Sequence, residues 1–158
     1  MTKTLAQIHE TLCTECGGVC CKQAAGIYWP DQIELTVEAI TARVKVGAWA
    51  IDWWEGDPRP EGGLDRVYYV RPAHKNAQGA WLDASLGGEC FFLDDRGCRL
   101  PLEERPIQCR MLIPLPLKAR EENGGCQYTD GYNGKEAAAR AWLPHQALMD
   151  DVVWVLQG

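Results

Sequence analysis

Cys13-Thr14-Glu15-Cys16-Gly17-Gly18-Val19-Cys20-Cys21 places four of the chain's eight cysteines within nine positions. A reduced thiol has a pKa near ~8.5, and lowering it calls for a nearby positive charge, commonly a metal ion. Four thiols crowded in this way point to a site organised around a cation. Cys13-x2-Cys16 is a chelating spacing, because two intervening residues let one turn bring both sulfurs onto one ion. Cys20 and Cys21 are adjacent, so their side chains diverge. The pair serves two centres, or one centre and the core.

The remaining four cysteines, Cys90, Cys98, Cys109 and Cys126, are spread over the second half of the 158 residues. Cys90 and Cys98 flank Asp94-Asp95-Arg96-Gly97, a hairpin turn signal, so a hairpin of Glu89–Asp94 with Cys98–Leu100 brings them together. Asp94-Asp95 reads as turn chemistry, not as a catalytic pair. A cysteine beside Phe91-Phe92 is also what a small core residue looks like, and Cys90 and Cys126 are open to that simpler reading.

Composition limits the function. At 46% hydrophobic and 24% charged, with seven Trp, the chain is expected to fold as one globular domain over 1–158. A net charge of −6 with no basic run argues against nucleic acid. The first ten residues have no apolar core of a secretory signal, and no run approaches a membrane span. A cytoplasmic location is therefore expected, where thiols stay reduced. That weighs against a four-disulfide scaffold.

Helical spacing of Leu5, Ile8 and Leu12 leads into the cysteine cluster, and Gly17-Gly18 gives it a tight turn. Residues 31–47 show a second helical face, Ile33, Val37, Ile40 and Val44, starting at Asp31 or Thr36. Strands are expected at Arg66–Arg71 and Gly79–Ala84, connected through 74–78. Residues 55–63 and 121–134 read as loops, and a short helix is expected over 103–111. The C-terminal helix runs from about 135 to 157, broken at Pro144, with Trp142, Leu148, Val152 and Val155 on its buried side. The fold class is α+β: a small, loop-rich domain of several helices and short β-hairpins around a cysteine-ligated metal site.

Cys13-x2-Cys16-x3-Cys20-Cys21, Cys90-Phe-Phe-Leu, Gly97-Cys98-Arg99-Leu100 and Glu104-Arg105-Pro106-Ile-Gln-Cys109-Arg110 together resemble the CxxCxxCC cysteine-cluster family, the YkgJ-like zinc- or iron-chelating domains. The family's downstream hallmark is Cys-x-Ile-Tyr-x-x-Arg-Pro-x-x-Cys-Arg. Here the spacing to Arg-Pro is one residue longer and the aromatic is missing. The commoner first motif also has one residue fewer between its second and third cysteines. The resemblance implies metal ligation by Cys13, Cys16, Cys20, Cys21, Cys90, Cys98, Cys109 and Cys126. A related group, the flagellin lysine-N-methylases, couples such cysteines to an iron–sulfur cluster. No Gly-x-Gly-x-Gly methyl-donor loop occurs here, so that activity is not implied.

Zinc is the first expectation, since four thiolates fill its tetrahedral shell, and iron or an iron–sulfur cluster is the alternative. A centre filled by four cysteines gives a structural, metal-handling or partner-docking role. A cluster with one exposed iron gives a redox or methyl-transfer enzyme. Arg105 and Arg110 flank Cys109 and are expected to offset thiolate charge and donate to sulfur. Arg99, next to Cys98, can act likewise. Of the three histidines, His9 precedes Cys13 by four residues and can join the site on one helix face. His74 falls in a predicted turn and His145 follows Pro144, both exposed or capping. Trp53-Trp54 read as core.

Overall fold

A computed structural model describes residues 25–77, 81–82, 88–94, 97–106, 109 and 135–158. The helix expected over 2–12, the Gly17-Gly18 turn, the 121–134 loop, His9, Arg110 and five cysteines (Cys13, Cys16, Cys20, Cys21, Cys126) lie outside them.

The first described segment, Ala25 to Trp29, is extended and enters a 3-10 turn at Pro30–Gln32. Gln32 fixes that turn reciprocally. Its amide donates to the Trp29 carbonyl at 3.0 Å, while its side-chain oxygen accepts the Trp29 amide at 2.9 Å. Helix α1, Val37–Lys45, then begins with Thr36 as its cap, the hydroxyl accepting the Ala39 amide at 3.1 Å. Thr36 is thus the true start, and Asp31 belongs to the preceding turn. A Ser/Thr cap of this kind is worth about 1 kcal/mol. Ile40 and Val44 face the core, as their spacing predicts.

Strand β1, Trp49–Glu55, pairs antiparallel with β2, Arg66–Pro72, in the register Trp49↔Pro72 to Glu55↔Arg66. The strand at Arg66–Arg71 forms as expected, with a partner that the spacing does not predict as a strand; the other expected strand is Gly79–Ala84. Of the latter stretch, Trp81 and Leu82 are described, and they lie against β1. The Ile51 amide donates to the Trp81 carbonyl at 2.9 Å and Ile51 bridges Leu82 in parallel. The reason lies in burial. Ala50, Ile51 and Asp52 are all buried in succession, so β1 carries no in–out alternation and reads as an aromatic core run instead of a strand. Trp53 and Trp54 are only half-buried, and Trp53 lies beneath the Arg66 guanidinium at 4.7 Å.

The hairpin loop between β1 and β2 is held by Asp57. Its carboxylate accepts from the Arg59 amide, Nε and a terminal guanidinium nitrogen at 2.9, 3.0 and 2.7 Å, and from the Leu64 amide at 3.2 Å. The second hairpin is short: β3, Leu93–Asp94, with β4, Gly97–Cys98. It forms where the turn signal predicts.

Helix α2, Lys135–Trp142, and α3, Gln146–Gln157, are separated by a 3-10 turn at Leu143–His145, which contains Pro144. Pro144 breaks the helix as expected. Both helices pack on β2, and α3 also packs on α1. Ile40, Ile51, Val67, Tyr69, Val70, Trp142, Met149 and Val152 meet in one core. Burial of each such side chain contributes about 1.5–3 kcal/mol. Val155, expected inside, is 41% exposed, and Met149 takes the buried position. The described elements make a small α+β fold of helices and antiparallel hairpins.

Candidate functional site

Residues 25–32 connect the described cysteines to the rest of the fold. The Ala25 amide donates to His74 Nε2 at 3.0 Å. The Tyr28 amide donates to the Val70 carbonyl at 3.1 Å, so the segment lies along the outer edge of β2. The Tyr28 carbonyl accepts Trp142 Nε1 at 2.7 Å. Gln32 Nε2 donates to the Arg105 carbonyl at 2.8 Å, fastening the Arg105-Pro106 step. The Cys109 amide in turn donates to the Pro106 carbonyl at 2.9 Å, a turn that fixes Cys109 relative to the buried Pro106.

Cys90 is reached from the other side. His74 bridges Cys90 in antiparallel fashion, flanked by Lys75 amide to Glu89 carbonyl at 2.8 Å and Phe91 amide to Ala73 carbonyl at 2.9 Å. The Cys90 carbonyl accepts the Leu93 amide at 3.0 Å, and Leu93 stands opposite Cys98 in the β3–β4 pair. The hairpin thus brings the Cys90 and Cys98 strands together, as its flanking cysteines predict.

Tyr28 lines one cleft with Phe92 and Leu100, which flank the hairpin. Burial pushes the Tyr28 hydroxyl above its usual pKa. A hydrogen bond from the Trp49 side chain opposes the shift, and Cys90, Cys109 and Cys98 each add to it. None of Cys90, Cys98 and Cys109 is in a disulfide. Burial also raises the Cys90 thiol to about 11, opposed by its hydrogen bond with the Phe92 backbone and, more weakly, by Arg71 and Lys75, while Cys98 adds to the rise. Cys90 is 6% exposed, and Cys98 and Cys109 are half-buried. Among the described residues no three His, Cys, Asp or Glu side chains are grouped so as to hold a metal ion. The donor chemistry fits a thiophilic ion, but the described thiols do not by themselves close a site.

The arginines take specific positions. Arg105 Nε donates to the Leu100 carbonyl at 2.9 Å, bracing the end of the hairpin. Arg99 donates to the Phe91 carbonyl at 2.5 Å and lies over the Phe91 ring at 5.1 Å, so its charge sits on the aromatic pair behind Cys90. Arg71 was not singled out by its sequence. It is almost fully buried, with Nε on Asp52 Oδ2 at 2.9 Å and a terminal nitrogen on the Pro72 carbonyl at 2.9 Å. Its signal was an acid in the neighbouring run, Asp52 in Trp-Ala-Ile-Asp-Trp-Trp, which only the β1–β2 register turns into a partner.

His74 corrects its expected exposure: the side chain is 2% exposed and bonded to Ala25. The turn itself is real, a 3-10 turn at Lys75–Ala77, but the histidine precedes it and faces inward. His145 stacks edge-on to Trp142 at 6.1 Å and makes no side-chain cap to α3.

The cleft that Tyr28 lines has a volume of ≈ 360 Å³. Trp49, Phe92 and Leu100 supply its apolar wall, with Glu34, Glu103, Glu104 and Arg43 around it. Tyr28 packs on Trp49 at 5.2 Å, and the Arg43 guanidinium lies 5.7 Å from the Trp49 ring centre. Tyr28 therefore lines the cleft and also feels the charge of the described thiols. No helix among the described residues is long and apolar enough to cross a membrane. No family model, curated protein or solved structure matches the chain.

Proposed function

We propose that the chain is a metal-binding protein that chelates zinc or iron through its clustered cysteines. The observation that supports this reading is that the β3–β4 pairing, with Leu93 opposite Cys98, and the His74–Cys90 bridge bring two cysteine-bearing stretches next to each other, while the His74 ring holds Ala25, the start of the segment that follows the four-cysteine cluster. The four-cysteine cluster ends four residues before Ala25 in the sequence, and Ala25 begins the segment that carries Tyr28. The residues that would hold metal are Cys13, Cys16, Cys20, Cys21, Cys90, Cys98, Cys109 and Cys126, the set implied by resemblance to the cysteine-cluster family. Zinc bound there would supply a structural cross-link. Iron would add redox chemistry.

Within that reading, Arg105 and Arg99 brace the hairpin that presents Cys98, and Arg71 and Lys75 bring positive charge toward Cys90. The role is structural support, metal handling or docking of a protein partner, in the cytoplasm. A second reading is an iron–sulfur enzyme with an exposed iron, for which the cleft that Tyr28 lines would give a small molecule a place to bind.

Anaerobic purification with metal analysis tests both. Stoichiometric zinc or iron, lost with folding on chelation, upholds metal binding. Brown protein absorbing near ~400 nm, bleached by oxidation, favours the iron–sulfur reading. Colourless zinc protein under those conditions removes it. A chain that keeps its fold with no metal of any kind overturns both. Separate loss of one equivalent from Cys13→Ser and another from Cys98→Ser marks two centres.

A further inference from the structure

We infer that His74 is the latch that joins the two halves of the cysteine set, acting as a hydrogen-bond acceptor and not as a metal ligand. The inference deepens the metal-binding reading and rests on it. A bond of the ring and the backbone pairing on either side of the residue make the link. Through its ring, Nε2 accepts the Ala25 amide at 3.0 Å. Through the backbone bonds of its neighbours, Lys75 to Glu89 and Phe91 to Ala73, His74 is set opposite Cys90. Only an unprotonated ring nitrogen accepts an N–H, so the Nε2 lone pair is committed to Ala25 and is not offered to an ion.

Chain length makes the latch consequential. Ala25 follows Cys21 by four residues, and an extended chain covers at most about 3.3–3.6 Å per residue. Fixing Ala25 therefore confines Cys21 to within about 14 Å of it, by covalent reach alone. Further along the segment the Tyr28 amide donates to the Val70 carbonyl at 3.1 Å, so Ala25 is the anchor nearest the cysteines among the bonds described. The His74 ring is 2% exposed, and the Cβ that any other residue would add at Gly88 falls 3.1 Å from His74 Cβ. The histidine is thus held from behind as well as from the front. Gathering thiols from two remote stretches costs loop entropy, and a fixed acceptor lowers that cost before metal arrives.

The test titrates the full reduced chain with Co2+ under anaerobic conditions, reading thiolate charge-transfer absorbance, in the parent, His74→Gln and His74→Phe. Glutamine can return an acceptor oxygen close to the Nε2 position, and phenylalanine fills the space without one. Hydrogen exchange at the Ala25 and Tyr28 amides is followed in metal-free samples of the same three proteins. Expected are parent-like Co2+ affinity and Ala25 protection in His74→Gln. In His74→Phe, affinity falls about ten-fold and Ala25 protection is lost while Tyr28 stays protected.

Unchanged affinity in His74→Phe overturns the proposal. So does a His74→Gln variant as impaired as His74→Phe, which would make the ring a ligand or a packing element. If His74→Phe also loses Tyr28 protection, the segment has come away altogether, and His74→Met replaces it under the same criteria. If the parent takes up no Co2+, the metal-binding reading fails by itself. Ala25 exchange then decides the latch: loss confined to the variants without an acceptor upholds it, and equal exchange in all three proteins overturns it.

Discussion

Trp142 Nε1 donates to the Tyr28 carbonyl at 2.7 Å across 114 residues of sequence. The bond ties the last turn of α2 to the segment that leaves the cysteine cluster. Trp142 is fully buried, so its indole fills the core while its one polar atom secures a carbonyl that points away from β2. Trp142→Phe keeps most of the volume and abandons that carbonyl. It should cost about 1–3 kcal/mol in chemical denaturation. Trp142→Ala should cost about 3–5 kcal/mol through the cavity as well. Equal losses from the two variants would show that the hydrogen bond contributes little beyond packing.

Gly88 precedes the Cys90 strand with φ +153, and a Cβ there would meet the Asn76 side chain and His74 Cβ. Gly88→Ala is expected to destabilise by about 1–3 kcal/mol and to shift the Cys90 strand. Asn76→Ala, which is exposed and removes the nearer obstacle, should recover part of the loss when combined with it. Thermal denaturation of the single and double variants reads the coupling, and strict additivity would place the strain elsewhere.

The Asp52–Arg71 pair is buried on both sides, with side chains 7% and 2% exposed. Arg71→Met leaves the Asp52 carboxylate without its guanidinium and should lose about 3–5 kcal/mol. Pairing it with Asp52→Asn removes the stranded charge while the amide oxygen can still accept the Trp53 amide, a 2.7 Å bond in the parent. The double variant should therefore be more stable than Arg71→Met alone. A double variant at least as unstable would mean that the guanidinium serves Cys90 or packing more than it serves Asp52.

Asp57 gives the fold an acid-sensitive point. The Arg59 side chain, then the Arg59 backbone, hold its carboxyl well below the usual carboxylate value of 3.8, with Leu64 adding in the same direction. A depressed folded pKa means a stabilising contribution that is complete above the unfolded value. It is lost as pH falls below about 4 toward the folded value. Urea midpoints of the parent should thus drop on going from pH ~5 to ~2.5 more steeply than those of Asp57→Asn. Parallel slopes would remove Asp57 from the acid limb.

The helices were legible because their apolar positions repeat at helical spacing and their ends carry signals: Thr36 as a cap and Pro144 as a breaker. The β3–β4 hairpin was legible from its turn. β1 was not, since Ala50, Ile51 and Asp52 are buried in succession, and a strand covered on both faces loses its period. Missing β1 left β2 without its partner. The same omission hid Arg71, whose acid is a register neighbour and not a sequence neighbour. Of the site, Cys90 and Cys98 were brought together by a local turn that sequence reveals. The His74–Ala25 bond spans 49 residues, and nothing local in either stretch announces it.

The two-stranded sheet has a further consequence along its edges. On β2, Gln146 offers Tyr68 both halves of a peptide group, accepting its amide and donating to its carbonyl at 2.9 Å each. Tyr28 takes the Val70 carbonyl on the same strand. On β1, Trp81 receives the Ile51 amide, and the Asp52 carboxylate receives that of Trp53. A helix side chain, an extended segment, a bridging residue and a carboxylate thus stand where a neighbouring strand would otherwise dock. A small sheet rich in tryptophan and valine is an invitation to edge-to-edge aggregation. Here these backbone groups, which could template a second molecule, are engaged within the chain itself.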